Sequence, residues 1–172
     1  SRLYEEWAWD PAVLARFAKK PGTDQAIPAD LVQRMRAAEE YGKGLRMGIQ
    51  MTYATQSLDL HRLDPATIDF DAITRQIREQ RTPFREVEGT HQAAQFGHLN
   101  GYSAIYYTYA WSDVIARDLW REFESDVMNA DKFGGYKDKV LAAGGSQDAA
   151  DMVESFLGRP FSFDAYEAWL SR

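Results

Sequence analysis

Cysteine is absent from this sequence of 172 residues, which excludes a disulfide framework and any chemistry that needs a thiolate. No apolar run approaches the roughly 20 residues that a membrane-spanning helix requires. Lys and Arg number 20 against 26 Asp and Glu, and this net charge of −6 disfavours binding to nucleic acid phosphates. We therefore expect no nucleic acid and no membrane among the partners, and a cytoplasmic location, which fits the lack of cysteine.

Histidine is scarce as well, and none of His61, His91 and His98 has a second histidine at the spacing of a zinc motif. The HExxH motif places two imidazoles one helical turn apart with a glutamate between them. A serine nucleophile elbow and a glycine-rich phosphate loop are also missing from the sequence. By itself the chain lacks a convincing catalytic set, so we expect the isolated chain to bind no metal and to be inactive.

The sequence predicts an all-α fold in one domain over residues 1–172. Hydrophobic residues make up 45% and charged residues 27% of the chain, as in an ordinary globular protein. Apolar residues recur at helical spacing, and almost no segment alternates as a strand does. Asp10-Pro11 and Gly144-Gly145 are typical of helix ends. The segment 82–101 has no clear period and is predicted to be a loop, and the main helices are predicted over about 28–61, 69–81, 102–124 and 130–143.

The stretch FGHLNGYSAIYYTY, residues 96–109, is the part of the sequence most suggestive of chemistry. If it is helical from Tyr102 onward, then Tyr102, Tyr106 and Tyr109 lie on one face. Three phenol groups beside a flexible loop that carries His98 could line a cleft and donate hydrogen bonds to a carbonyl oxygen or an oxyanion.

A second interpretation of the same stretch is packing alone. The side chains opposite the three phenols on the same helix are predicted to face the core, and they are those of Tyr107, Trp111, Val114 and Ile115. The phenols could then be half-buried rings whose hydroxyls reach water or the backbone, and His98 could be an ordinary loop histidine. The pattern by itself leaves both interpretations open.

Four segments resemble landmarks of the thimet oligopeptidase family of zinc metallopeptidases, which includes oligopeptidase A and peptidyl-dipeptidases. SRLYEEWAWD at residues 1–10 is similar to the segment that follows the third zinc ligand, and GHLNGYSAIYYTYAW at 97–111 is similar to the family's loop and tyrosine helix. GGSQD at 144–148 and FLGRP at 156–160 resemble its closing motifs. The four segments occur in the family's order and together span almost the whole chain.

The resemblance implies the helical C-terminal portion of a two-lobed, mostly helical peptidase that hydrolyses short peptides in a deep channel. In that family, zinc is held by the two histidines of HExxH and by a downstream glutamate. By this alignment those ligands lie before residue 1, so we expect the chain to be part of a longer protein. Zinc is then expected in the full-length enzyme and not in this chain, whose partners would be short peptides and the missing N-terminal part.

The resemblance also implies roles for particular residues. Tyr106 and Tyr109 match tyrosines that assist binding and stabilise the tetrahedral intermediate, and they are the candidate catalytic residues. The glycine stretch around Asn100 is shorter here than in relatives with paired or triple glycines. The candidate substrate-binding residues are Gly97, His98, Gly101 and Tyr102.

Two other functions remain open from the sequence. The chain could be a non-enzymatic helical module that binds a peptide or a partner protein through its tyrosine face, or a purely structural helical bundle. An HExxH motif and a downstream glutamate encoded just before residue 1 in the parent reading frame would discriminate the peptidase from both.

Overall fold

The computed structural model describes residues 2–171, which fold into helices joined by turns and loops. Within this range there is no β-strand, apart from an isolated bridge between Lys19 and Ala26, so the predicted all-α fold class is confirmed. The helices are α1 (Arg2–Trp7), α2 (Pro11–Leu14), α3 (Ala29–Glu40), α4 (Lys43–Arg62), α5 (Phe70–Arg81), α6 (Gln92–Gln95), α7 (His98–Tyr102), α8 (Thr108–Trp120), α9 (Ala130–Tyr136), α10 (Ala149–Leu157) and α11 (Asp164–Leu170). None of these helices is long and apolar enough to cross a membrane.

The chain divides into two compact units. The first contains the residues up to Tyr41 together with those from Ser112 onward, and the second contains Gly42–Trp111. The sequence-based assignment of a single domain over residues 1–172 stays a prediction.

The core of the first unit is rich in aromatic rings. Phe123 is fully buried and Trp120 is 8% exposed. Trp7 of α1 packs edge-on against both, with ring centroids 4.7 Å from Trp120 and 4.8 Å from Phe123. Its indole N–H also donates to the carbonyl oxygen of Val127 at 2.6 Å. This packing fixes α1 against the end of α8.

The second unit is built on α4 and α5, which approach each other closely. A Cβ added at Gly48 of α4 would lie 2.6 Å from the carbonyl oxygen of Arg81, so this position accommodates only a glycine without rearrangement. Gln56 of α4 is fully buried and donates from its amide nitrogen to the Thr74 hydroxyl of α5 at 3.0 Å. The two helices support the segment of residues 92–109, which contains the candidate site.

Several helix ends follow from local chemistry, as the sequence predicts for Asp10-Pro11. The side chain of Asp10 accepts from the backbone N–H groups of Ala12 and Val13, and Asp69 and Asp148 cap α5 and α10 in the same way. Gly158, with φ of +72°, ends α10 in the left-handed conformation that glycine adopts readily.

Residues 28–61 do not form the single helix that the sequence predicts. α3 ends at Glu40 and α4 begins at Lys43, and Gly42 between them has a φ of +71°. This left-handed conformation cannot continue a right-handed helix. The prediction was wrong because a glycine within an apolar helical pattern is compatible with either a continuous helix or a break.

The boundaries predicted around the tyrosine stretch were also wrong. The predicted loop 82–101 contains α6 and most of α7, and α8 spans Thr108–Trp120 rather than 102–124. The reason is a turn at Ser103, which has φ of +50° and ψ of −127° and ends α7. Serine carries no sequence signal for that conformation, since glycine is the residue that usually adopts it.

Candidate functional site

The structure brings together four of the six residues singled out by the sequence, although not on one helix. Tyr102 is the last residue of α7, Tyr106 lies in the following turn, and Tyr109 belongs to α8. The His98 ring lies 5.0 Å from Tyr106, 5.9 Å from Tyr102 and 6.0 Å from Tyr109 between centroids, and Tyr106 and Tyr109 are 4.9 Å apart. We call these four residues the histidine–tyrosine cluster.

A reversal of the chain between α7 and α8 assembles the cluster. The backbone N–H of Ile105 donates to the carbonyl oxygen of Tyr102 at 3.3 Å, which closes a four-residue turn around Ser103. The dihedral angles of Ser103 are those of the second position of a type II′ turn. Because of this reversal, the start of α7 and the start of α8 meet, and His98 faces Tyr109.

Two tyrosine rings of the cluster are exposed and accessible to a ligand. Tyr102 is 62% exposed and Tyr109 is 40% exposed. The Tyr109 hydroxyl lies 3.4 Å from Nε2 of His98, which is long for a hydrogen bond, and which group donates depends on the imidazole tautomer. A phenol hydroxyl with such a long hydrogen bond can donate to another acceptor instead, so the cluster can bind a carbonyl oxygen or an anion.

Two aromatic residues that sequence reasoning did not assign to the site support the cluster. Phe96 is 8% exposed, and its ring centroid lies 5.5 Å from His98 and 5.2 Å from Tyr106. Tyr53 of α4 lies 5.0 Å from Phe96 and 5.5 Å from Tyr106. Nothing in the sequence indicates which rings Tyr53 contacts.

The two candidate glycines have no special conformation here. Gly97 has φ of −57° and ψ of −24°, in the right-handed helical region, and Gly101 lies within α7. A Cβ added at either would meet no other atom within 4 Å. Their predicted part in substrate binding stays a prediction.

The face predicted to lie opposite the phenols is only partly a core face. Val114 is 4% exposed, but Tyr107 is 54% exposed and Trp111 is 45% exposed. The prediction of a buried Tyr107–Trp111 face was wrong because it assumed a helix that continues through residues 103–107, where the structure has turns.

The described residues do not fit a zinc site. Within residues 2–171, no three His, Cys, Asp or Glu side chains gather in an arrangement that could hold a metal ion. The histidines outside the cluster have local partners: Nδ1 of His91 lies 2.7 Å from a carboxylate oxygen of Asp71, and Nδ1 of His61 lies 2.8 Å from the carbonyl oxygen of Ser57.

The fold and the cluster together define a helical protein with a half-buried imidazole beside three phenols, suited to a ligand rich in hydrogen-bond acceptors. Comparison with known proteins identifies the family to which this helical protein belongs. The sequence model of peptidase family M3 matches residues 1–171, and the chain belongs to that family. The resemblance found in the sequence is therefore confirmed.

Individual relatives agree with the family assignment. The chain is 30% identical over 161 residues to a mitochondrial intermediate peptidase of Arabidopsis thaliana, covering 92% of this chain and 23% of that protein. It is 28% identical over 171 residues to oligopeptidase A of Escherichia coli (strain K12), covering 96% and 25%, respectively. A thimet-like oligopeptidase of Dictyostelium discoideum is 31% identical over 163 residues, covering 92% and 24%. The chain thus spans about a quarter of the length of these curated relatives.

Proposed function

We propose that this chain is the C-terminal, channel-lining part of a zinc-dependent oligopeptidase, and that the histidine–tyrosine cluster binds the peptide substrate. The family membership supports a peptidase, and the relatives include proteins named oligopeptidase. In this proposal the zinc ligands and the catalytic glutamate lie before residue 1, in the N-terminal part of the same protein. The substrates are short peptides, and the protein acts in the cytoplasm.

The observation that carries the proposal is the Tyr109 hydroxyl, exposed and 3.4 Å from Nε2 of His98. A peptide backbone presents carbonyl oxygens, which accept hydrogen bonds from phenols and from a protonated imidazole nitrogen. His98 and Tyr102 would bind the substrate backbone, and Tyr109 with Tyr106 would donate to the carbonyl under attack. In this proposal, the part of this chain in the reaction is substrate binding and charge stabilisation.

A phenol donor contributes most when the acceptor becomes an oxyanion. Negative charge on the carbonyl oxygen develops on the way to the tetrahedral intermediate, so a hydrogen bond from Tyr109 strengthens as the reaction proceeds. An interaction that strengthens in this way raises kcat rather than lowering KM. It also explains why a long, loose contact in the free protein is compatible with a catalytic role.

Tyr109→Phe in the full-length protein tests this role. We expect kcat to fall about 100- to 1000-fold, which corresponds to about 3–4 kcal/mol, as for the loss of other oxyanion donors. KM should change little, because the ring and its packing are retained. Steady-state kinetics with a quenched-fluorescent peptide, together with thermal melts as a check of folding, measure both quantities.

Tyr107→Phe is the matched control, since this substitution also removes a phenol hydroxyl, but from an exposed ring outside the cluster. Its turnover should stay close to that of the unmodified protein. If Tyr109→Phe keeps turnover within about threefold, a difference below about 1 kcal/mol, the catalytic role of Tyr109 is wrong.

A further inference from the structure

Ser103, at the centre of the turn that assembles the cluster, holds a backbone conformation that serine rarely adopts. Its φ of +50° is the one positive φ at a non-glycine residue within residues 2–171. With ψ of −127°, it occupies the second position of a type II′ turn, where glycine is strongly preferred because a Cβ is crowded there. Such a conformation persists only where the surrounding structure holds it.

The group that holds it is the hydroxyl of Ser57. Ser57 lies on α4, is fully buried, and donates to the carbonyl oxygen of Ser103 at 2.6 Å. This carbonyl belongs to the central peptide of the turn, and turn types I′ and II′ differ in the orientation of that peptide. A hydrogen bond to its oxygen therefore selects one turn type over the other.

The same helix also fixes the next part of the site. Tyr53 lies one turn before Ser57 on α4, and residues four apart share a helix face. Its ring packs 5.5 Å from Tyr106, three residues after Ser103. One face of α4 thus contacts both the backbone of the turn and a ring of the cluster.

We propose that Ser57 is a positioning residue for the histidine–tyrosine cluster: its hydrogen bond to Ser103 fixes the type II′ turn that places Tyr106 and Tyr109 beside His98. The inference rests on the proposed function as far as catalysis is concerned. The conformational part, that Ser57 selects the turn, is independent of what the cluster binds.

Ser57→Ala in the full-length protein is the first test. Without the hydroxyl, the central peptide is free to flip, and hydrogen exchange in peptides that cover Ile105 should speed up because the N–H that closes the turn loses protection. Displacement of the phenols should lower kcat/KM at least about tenfold, since small misplacements of positioned groups are costly to rate. If the alanine variant is not recovered folded, Ser57→Cys removes the strong donor while keeping a similar shape.

Rescue by glycine distinguishes positioning from a general structural role. Glycine adopts the conformation of Ser103 without a steric penalty, so Ser103→Gly should not need the hydrogen bond. In the double variant Ser57→Ala with Ser103→Gly, kcat/KM should return to within about threefold of the Ser103→Gly protein. The matched control is Thr52→Val, which removes a buried hydroxyl bonded to the carbonyl oxygen of Gly48 on the same helix and should leave kcat/KM unchanged.

The outcomes separate the two proposals. Exchange around Ile105 that is unchanged in a folded Ser57→Ala protein overturns the inference, whatever the kinetics. Failure of the glycine variant to restore kcat/KM also overturns it, because the loss then has another origin. Faster exchange together with unchanged kcat/KM instead contradicts the proposed function, since the turn would move without any effect on the reaction.

Discussion

Asp118 is a carboxylate with no exposed surface, and its environment is built from distant residues. Both of its oxygens accept from the guanidinium group of Arg159, at 2.7 and 2.8 Å, and the backbone N–H of Ser162 donates at 2.8 Å. Burial raises the pKa of Asp118, but these hydrogen bonds and the charges of Arg159 and Arg121 outweigh it, so the pKa lies below its usual value. Arg159 belongs to the FLGRP segment, which thereby joins the loop after α10 to α8.

Asp118→Asn should destabilise the protein by about 2 kcal/mol at neutral pH, because it removes charge-assisted hydrogen bonds from a buried site. A carboxyl group whose pKa is lowered by folding stabilises the folded state at pH values above its unfolded pKa, near 3.8. This stabilisation is lost as the pH falls through the lower pKa of the folded state. The difference in free energy of unfolding between the two proteins should therefore be constant near neutrality and shrink below about pH 4. Urea unfolding across that range measures it.

Asp138→Asn serves as the comparison for this pH dependence. Its carboxylate pairs with Lys137 at 3.2 Å, but the side chains are 60% and 70% exposed, and exposed pairs contribute at most about 1 kcal/mol. An Asp118→Asn protein that is as stable as the Asp138→Asn protein at neutral pH would contradict the assigned role of the buried carboxylate.

Among the elements, α4 approaches the end of α5 closely at Gly48. Its glycines differ in surroundings: Gly48 faces the carbonyl oxygen of Arg81, whereas Gly44, one turn earlier, would meet no atom within 4 Å if it carried a Cβ. Gly48→Ala should destabilise the protein by about 1–3 kcal/mol, because backbone atoms of α4 and α5 must separate to admit the methyl group. Chemical denaturation of the purified variant gives this value.

Gly44→Ala is the control on the same helix. It adds the same methyl group in open space and should stabilise by up to about 0.5 kcal/mol through helix propensity. Equal effects of the two substitutions would show that helix propensity, and not close packing of α4 on α5, decides the outcome at Gly48.

For the molecule as a whole, the proposed function predicts how the isolated chain behaves. The chain spans about a quarter of the length of its relatives, and residues 2–171 offer no cluster of metal ligands. We expect the purified chain to bind no zinc tightly and to cleave no peptide. Metal analysis after dialysis and a fluorescent peptide assay test this, and stoichiometric zinc or turnover sensitive to EDTA would contradict it.

Peptide binding by the isolated chain and the sequence of the parent reading frame separate the peptidase from a non-enzymatic binding module. A binding module would bind peptides through the cluster in isolation, and its parent reading frame would lack HExxH upstream. A peptidase part needs the remainder of the protein for turnover, and in that protein Tyr109→Phe affects kcat more than binding.

Four candidate site residues could be singled out from the sequence because they lie close together in it. His98, Tyr102, Tyr106 and Tyr109 lie within twelve positions, and a resemblance to known peptidases was enough to single them out. The three tyrosines were nevertheless placed on one continuous helix, whereas the structure divides them between α7, a turn and α8. Phe96 and Tyr53 were not assigned to the site, because aromatic residues at helical spacing predict packing but do not identify the residues they pack against.

Local patterns of residues were enough to predict the all-α class and the family, and they account for the starts of α2, α5 and α10, since capping by Asp10, Asp69 and Asp148 involves backbone groups only two or three residues away. The tertiary structure decided the turn at Ser103, whose hydrogen-bond donor lies 46 residues earlier in the chain. It also decided the partner of Asp118, which lies 41 residues later. Such contacts depend on which helix faces pack together, and no local pattern of residues encodes that choice.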